Sequence, residues 1–354
     1  MTVRYIGSKT RLLDLLAPAI GKPSVSSGYF VDAFCGTGAV AAVAAGLGWA
    51  VKINDSLASA VAMAHARLIS RRTAKFSALG GYERAVTTLN SVKPVRGFMW
   101  REYSPASASR GGGRMYFTEA NAAQIDGVRG RIRSWYNHGK LTEGEHRLLL
   151  ADLILATNKV ANIAGTYGCF LSYWSPQSQG ALTLVPRTLF NGAPEVLASV
   201  SDVGELQAGP DDVVYLDPPY TKRQYAAYYH ILETITAGDE PVVSGVTGLR
   251  PWRTHASDFC YRTKALGALT RLVARQPARR VLLSYSDQGH VPLGPLADAL
   301  GALGRLTVTP LMALGKYRPN QAASDNGATV TEYLLTLHRP KQRSQLNPRV
   351  EAYA

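Results

Sequence analysis

The stretch Tyr29-Phe30-Val31-Asp32-Ala33-Phe34-Cys35-Gly36-Thr37-Gly38-Ala39-Val40-Ala41, with Ala50-Val51-Lys52-Ile53-Asn54-Asp55 close behind it, constrains the fold more than any other part of the chain. A short apolar run suited to a strand reaches a glycine turn and passes into an alanine-rich helix. A second apolar run then ends in an acid. That order is a nucleotide-binding half of a doubly wound sheet, so the expected class is α/β. Gly36 and Gly38 permit a tight turn and the close approach of a ligand to the backbone. The carboxylate of Asp55 can accept hydrogen bonds from both hydroxyls of a ribose.

Two ligands compete for this turn. Gly36-x-Gly38-x-x-Ala41 fits a dinucleotide fingerprint, which would make the chain a nicotinamide or flavin enzyme. A pyrophosphate sits poorly beside Asp32, which lies inside the strand just before the turn. Asp32 suits a cationic ligand, such as the amino end and sulfonium of S-adenosylmethionine, and the dinucleotide ranks second. A structural role for Asp32, bonding the N–H groups of the turn, is the plain alternative.

A second landmark is Val213-Val214-Tyr215-Leu216-Asp217-Pro218-Pro219-Tyr220. Residues 213–216 carry no turn residue and suit a buried strand. Proline cannot continue a ladder, and Pro218 biases Asp217 to an extended backbone, so the strand should end at Asp217. Its carboxylate then stands at the carboxyl edge of the sheet, where open α/β sheets bind ligands. An acid, the rigid carbonyl of Pro218 and the flat face of Tyr220 would grip a planar group bearing an amino substituent, such as adenine. The plain alternative is a strand end followed by a Pro-Pro turn.

Composition narrows the partner. Lys plus Arg number 39 against 25 Asp plus Glu, a formal charge of +14. Such an excess points to a polyanion, nucleic acid being the commonest, although a soluble basic protein has the same signature. Cys35, Cys169 and Cys260 are scattered, with no CxxC and no His pair at ligand spacing, so neither a structural metal nor a disulfide framework is expected and a reducing cytoplasm fits. The N-terminus lacks a signal-peptide core. The longest apolar stretch, residues 39–47, is too short to span a bilayer, and no membrane association is expected.

Arg4-Tyr5-Ile6-Gly7-Ser8-Lys9 opens the chain and feeds a helical pattern through Leu12, Leu13, Leu15 and Leu16, which places backbone N–H groups and Lys9 where an anion could sit. Residues 56–70 read as an amphipathic helix. Beyond them Arg71, Arg72, Lys75, Lys93, Arg96, Arg101, Arg110 and Arg114 interleave with Phe76, Tyr82, Phe98, Trp100 and Tyr103, a mixture suited to nucleic acid or to a solvated basic surface. Residues 104–113 read as an exposed, mobile loop. Residues 119–138 and 142–164 read as helices, the second opened by the capping box Thr142-x-x-Glu145. Residues 203–206 are expected to lead back to the sheet, residues 279–285 to form a further strand, and residues 306–314 and 330–337 two closing strands around a polar loop. His230 has no triad-like neighbour and is read as packing or substrate-orienting. The expected organisation is a cofactor half at 1–70, a mostly helical insertion at 71–200, a catalytic half at 201–340 and a loose tail at 341–354.

Three landmarks thus stand in fixed order: Arg4 to Lys9, Asp32 to Gly38 and Asp217 to Tyr220. The chain resembles the Dam-like, α-type adenine-N6 DNA methyltransferases, in which cofactor motifs precede a target-recognition region and the catalytic motif follows. Arg114-Met115-Tyr116-Phe117-Thr118, residues 162–168, Arg223-Gln224-Tyr225, Tyr229-His230, Leu232-Glu233-Thr234 and Leu283-Ser284-Tyr285-Ser286 are similar to the subgroup related to the methylase of the FokI restriction system. Cys35 and Thr37 fall where the family varies.

The resemblance implies a Rossmann-like, seven-stranded methyltransferase sheet and S-adenosylmethionine as methyl donor. It places Tyr5, Gly7 and Lys9 around the cofactor. Asp32, Phe34, Gly36 and Gly38 are placed along its methionine part, Asp55 on the ribose and Asp202 near the adenine. Asp217, Pro218, Pro219 and Tyr220 form the target-base site, and Asp217 is also placed against the cofactor. Arg114, Tyr167, Arg223, Tyr225, Arg250 and Arg253 are expected to face double-stranded DNA. The implied setting is a bacterial or phage-encoded cytoplasmic protein, monomeric or weakly dimeric, with a cognate restriction endonuclease as a possible partner. An N4-cytosine methyltransferase shares this chemistry but more often has Ser in place of the motif's acid. A non-catalytic DNA-binding module is the third alternative.

Overall fold

The computed structural model describes residues 6–7, 9–25, 27–108, 113–315 and 329–340. Arg4, Tyr5, Ser8, the loop at 316–328 and the tail at 341–354 lie outside the described residues.

Seven strands form one sheet: β1 (Tyr29–Asp32), β2 (Ala50–Asp55), β3 (Val196–Val200), β4 (Val213–Leu216), β5 (Arg280–Ser286), β6 (Arg305–Gly315) and β7 (Thr329–His338). Their spatial order is β3-β2-β1-β4-β5-β7-β6. The first five are parallel, and β7 inserts antiparallel between β5 and β6. Strand order reverses between β1 and β4, which makes the crevice at their carboxyl ends the topological switch point.

Helices cover both faces, as a parallel sheet requires. On one side α1 (Leu13–Ile20), α2 (Ala39–Gly46) and α3 (Ala58–Leu68) pack on Phe30, Val51, Ile53, Val213 and Tyr215. The opposite face, through Val31, Val214, Leu216, Val281 and Leu283, meets helices that follow the Asp217 motif. Successive residues of one strand thus enter opposite cores, which is the period-two pleat.

The insertion contributes α4 (Tyr82–Asn90), α5 (Phe98–Tyr103), α6 (Glu119–Asn137) and α7 (Glu143–Val160). The capping box expected at Thr142 is formed: Thr142 N–H donates to Glu145 Oε2 at 2.9 Å and Glu145 N–H to Thr142 Oγ1 at 3.3 Å. After β4 come α8 (Tyr225–Tyr228), α9 (His230–Ala237), α10 (Ala265–Arg275) and α11 (Leu293–Gly301). The insertion shares one core with the side of α3 turned from the sheet and with α9, through Leu57, Met63, Leu149, Leu153, Ile231 and Leu232.

Three expectations are corrected here. Residues 203–205 form a 3-10 turn on the way to β4, but the chain has already rejoined the sheet at β3 (Val196–Val200), inside the stretch expected to be the insertion. The strand was hidden because it lies at the sheet edge with Leu197 and Val200 exposed, so its pattern is not that of a buried strand. The helix expected at 56–70 spans Ala58–Leu68 and is buried on nearly all sides, because sheet and insertion sandwich it. In the segment at 104–113, Ser104 and Ser107 are buried: Ser107 Oγ accepts from Arg114 N–H at 2.7 Å, which ties the loop down, while residues 109–112 lie outside the described residues.

Candidate active site

Asp32 ends β1 and Asp217 follows β4, so the pairing of these two strands, with Asp32 in register with Tyr215, brings both acids to the switch point. Asp32 is buried, and the backbone N–H groups of Ala41 and Phe34 stabilise its ionised form. Its Oδ1 has no hydrogen-bond partner among the described residues. Burial, reinforced by the charge of Asp217, pushes the Asp32 carboxyl up to about 8. A buried carboxylate oxygen aimed at no donor is costly, and a cation arriving there would offset that cost.

The turn after β1 is held from β2. Gly36 N–H donates to Asp55 Oδ2 at 3.1 Å, and Asp55 Oδ1 accepts from Leu57 N–H at 3.1 Å. Burial raises the Asp55 carboxyl to about 6, against the pull of these N–H groups. Gly38 has φ +72° and leads into α2; a Cβ built on it would stand 2.6 Å from Ala64 Cα of α3. Only glycine lets the turn lie flat against that helix.

Phe34 and Asp202 line a cavity of about 810 Å³ at the carboxyl ends of β1, β2 and β3, together with Asn54, Ser201 and Phe259. Phe34 and Phe259 meet edge to face with ring centroids 5.6 Å apart. Asp202 is exposed, and its Oδ1 accepts from Gly204 N–H at 2.7 Å, so it also caps the 3-10 turn after β3. The size and mixed lining suit a nucleoside.

Around Asp217 the groups are drawn from distant elements. Lys9, only 6% exposed, lies just before α1, and its Nζ stands 3.1 Å from Asp217 Oδ1. Burial works to lower the lysine's affinity for its proton, but nearby charges, Asp217 foremost, outweigh it and hold Lys9 above the usual lysine range. Asp217 is itself raised to about 6 by burial, with Lys9 opposing. The ammonium of Lys9 thus faces the acid of the motif. Pro218 is buried, and its carbonyl takes no hydrogen bond among the described residues. Tyr220 is oriented by its backbone, whose carbonyl accepts from His290 N–H at 2.8 Å, and by Tyr285, whose ring centroid is 5.4 Å away. Gly7, with φ +75°, passes beneath Tyr225, whose hydroxyl would be 2.9 Å from any Cβ there and which donates to Ile6 O at 3.2 Å.

The residues expected to face DNA divide. Arg223 and Arg253 are exposed. Arg114 is not available: its guanidinium donates to the carbonyls of Val246, Glu102 and Gly245 and to Glu102 Oε2, tying the segment around residues 242–249 to α5. Tyr167 is fully buried, with its hydroxyl near Asn158 Oδ1, and Arg250 grips Asp239 at 2.8 Å and 3.2 Å. Tyr225 is half-buried and packs on Tyr229. In this structure these four side chains are held by the protein itself, because a long basic or aromatic side chain turns inward wherever carbonyls and carboxylates meet its donors. His230 is also interior, its Nε2 at 3.0 Å from Tyr167 O, and burial lowers it to about 4, which fits the packing role. A groove on the insertion is lined by Lys93, Arg129, Arg131 and Arg133 with Asp126 and Glu240, and of these only Lys93 stands out in the sequence.

A switch-point crevice in a sheet of this order, with an orphaned acid, a nucleoside-sized cavity and an acid–proline–proline–tyrosine edge, defines an α/β Rossmann-like methyltransferase. Residues 5–286 match the model of the D12 class N6 adenine-specific DNA methyltransferases, and the chain belongs to that family. It is 33% identical over 305 residues to the StsI modification methylase of Streptococcus sanguinis, covering 84% of this chain and 46% of that protein. It is 34% identical over 294 residues to the type II methyltransferase M.FokI of Planomicrobium okeanokoites, covering 81% and 45%. With M.NlaIII of Neisseria lactamica the identity is 29% over 309 residues, 86% of this chain and 89% of that one. The chain therefore spans about half the length of the first two relatives and most of the third. Among the described residues no helix is long and apolar enough to cross a membrane.

Proposed function

We propose that this chain transfers a methyl group from S-adenosylmethionine to N6 of an adenine flipped out of double-stranded DNA. The observation that carries the reading is the meeting of Asp32, with its unpartnered Oδ1, and Asp217 at the switch point. Bound there, the cofactor supplies an electrophilic methyl on a cationic sulfonium. Asp32 would face its cationic end, Asp55 would accept from the ribose hydroxyls, and Phe34, Phe259 and Asp202 would enclose the base. Asp217 and the Pro218 carbonyl would accept hydrogen bonds from the two N6–H groups, which withdraws the nitrogen lone pair from ring conjugation and aims it, and the N6 proton displaced by the methyl would pass to Asp217 or to water. Tyr220 would stack on the flipped ring, helping to offset the few kcal/mol of unstacking. Positioning and electrostatics of this kind supply the rate without a covalent intermediate on the enzyme.

The D12 family and the relatives' names as modification methylases support a role in marking a specific DNA site, with a restriction endonuclease as partner. Residues 71–195, before β3, are assigned to target recognition. The test is tritiated methyl transfer into DNA with mass analysis of the product. Wild type should yield N6-methyladenine, and Asp217→Ala should yield none while still binding cofactor. Near-normal turnover in that variant, or N4-methylcytosine as product, would sink the assignment.

A further inference from the structure

Glu332 lies on β7, 323 residues beyond Lys9. It is 8% exposed and pairs in register with Ser286 of β5. The start of β7 is pinned to the turn after β5: Asp287 N–H donates to Thr331 O at 3.1 Å, and Thr331 N–H donates to Asp287 Oδ2 at 2.9 Å. From that anchored strand Glu332 Oε2 accepts from Lys9 Nζ at 3.1 Å, and Oε1 accepts from the Tyr220 hydroxyl at 3.2 Å. Lys9 Nζ reaches Asp217 Oδ1 at 3.1 Å and stands 5.3 Å from the centre of the Tyr220 ring. One carboxylate therefore holds both the cation that touches the acid of the motif and the hydroxyl of its aromatic ring.

We propose that Glu332 is a positioning residue for methyl transfer, holding Lys9 against Asp217 and fixing the plane of Tyr220 against the target base. This rests on the reading above. Two consequences follow from the geometry. Lys9 divides its charge between two carboxylates, so Asp217 keeps acceptor strength that a lone ion pair would remove. Tyr220, tethered at its hydroxyl and at its carbonyl, has its stacking plane set before a base arrives, so less entropy is lost at binding. The groups facing Asp217 are Lys9, Tyr215, Asp32, Tyr220, Tyr225 and Glu332. Of these, Glu332 alone bonds both Lys9 and Tyr220 without touching Asp217.

The test compares Glu332→Gln and Glu332→Ala with wild type, using Asp217→Ala as the inactive control. The near-isosteric Glu332→Gln preserves shape and removes the charge. Its acidic limb of kcat/KM should move down by about half a pH unit or more, because Asp217 then has Lys9 to itself. Glu332→Ala should lower kcat about tenfold or more, with KM for the cofactor within about twofold, as expected where only transition-state positioning is lost. A 13C carboxyl titration of Asp217 in the unliganded protein reads the same shift without turnover. An unmoved Asp217 titration, together with wild-type kcat in both variants, overturns the proposal. If wild type transfers no methyl group but the Asp217 titration still moves in Glu332→Gln, the methyl-transfer reading has failed and the Lys9–Glu332 coupling stands.

Discussion

The carboxylate of Glu233 on α9 closes the N-terminus of α3: its Oε2 accepts from both the N–H of Ser59 at 3.1 Å and the Ser59 hydroxyl at 2.8 Å. Its Oε1 accepts from Ala58 N–H at 2.9 Å. An anion at this point satisfies the unpaired donors of the first turn and complements the helix dipole. α3 carries Ala64, against which the Gly38 turn rests, so a side chain from beyond the Asp217 motif supports the cofactor half. Glu233→Ala should lower unfolding stability by about 2 kcal/mol, the scale of a charge-assisted hydrogen bond removed from a partly buried site. Glu233→Gln keeps one acceptor oxygen but turns an NH2 donor toward the remaining helix-end N–H, so it should lose at least about half of that. Urea denaturation checks both, and a Glu233→Ala variant as stable as wild type would refute the cap.

Such a cap is invisible in the sequence because Glu233 stands 174 residues from Ser59 and no local pattern marks it. The same holds for Glu332. What the sequence did disclose was set locally: the turn between β1 and α2, the end of β4 at paired prolines and the capping box of α7. Each needs only neighbours in the chain. β3 escaped because an edge strand with Leu197 and Val200 in solvent lacks the pattern of a buried one. That Arg114 and Tyr167 turn inward is illegible for a related reason. Composition shows that a segment is basic and aromatic, but which way a long side chain turns depends on carbonyls such as those of Gly245 and Val246, more than a hundred residues away.

Gly38→Ala should be strongly disruptive for so small a change. The residue sits at φ +72°, and the added carbon would lie 2.6 Å from Ala64 Cα, an atom that moves only if α3 moves. Overpacking and backbone strain together predict a loss of about 3 kcal/mol. Cofactor affinity should fall with it, because the turn carrying Gly36 is displaced. Thermal unfolding and a cofactor titration check the two effects, and a variant that melts like wild type would refute the close approach.

Asp32 predicts a proton count. Burial, with the charge of Asp217, raises its carboxyl from 3.8 to about 8, so at pH 7 it is mostly protonated in the free protein. A cation beside Oδ1 favours the carboxylate, and binding should then release up to about one proton. Calorimetric titration of cofactor in buffers of different ionisation enthalpy measures that release, which Asp32→Asn should abolish along with most of the affinity. The same shift sets a stability trend. The folded state holds this proton more tightly than the unfolded one, so its contribution is full below the unfolded value and is lost as pH rises through about 8. Denaturation midpoints of wild type should fall relative to Asp32→Asn across that window.

The arginines separate support from recognition. Arg114 is 7% exposed and fully engaged with Glu102 and three carbonyls, so Arg114→Ala should cost about 3 kcal/mol of stability by stranding those acceptors. Its effect on DNA binding should follow from unfolding alone and disappear at low temperature. Arg223 and Arg253 are exposed, so alanine there should leave unfolding within about 0.5 kcal/mol of wild type. If each meets a phosphate, each substitution should reduce the slope of log affinity against log salt by about one. Salt titrations of DNA binding on the folded variants decide the matter: an unchanged slope for both would move phosphate contact to other basic residues, the groove lined by Lys93 and Arg131 being the next to substitute.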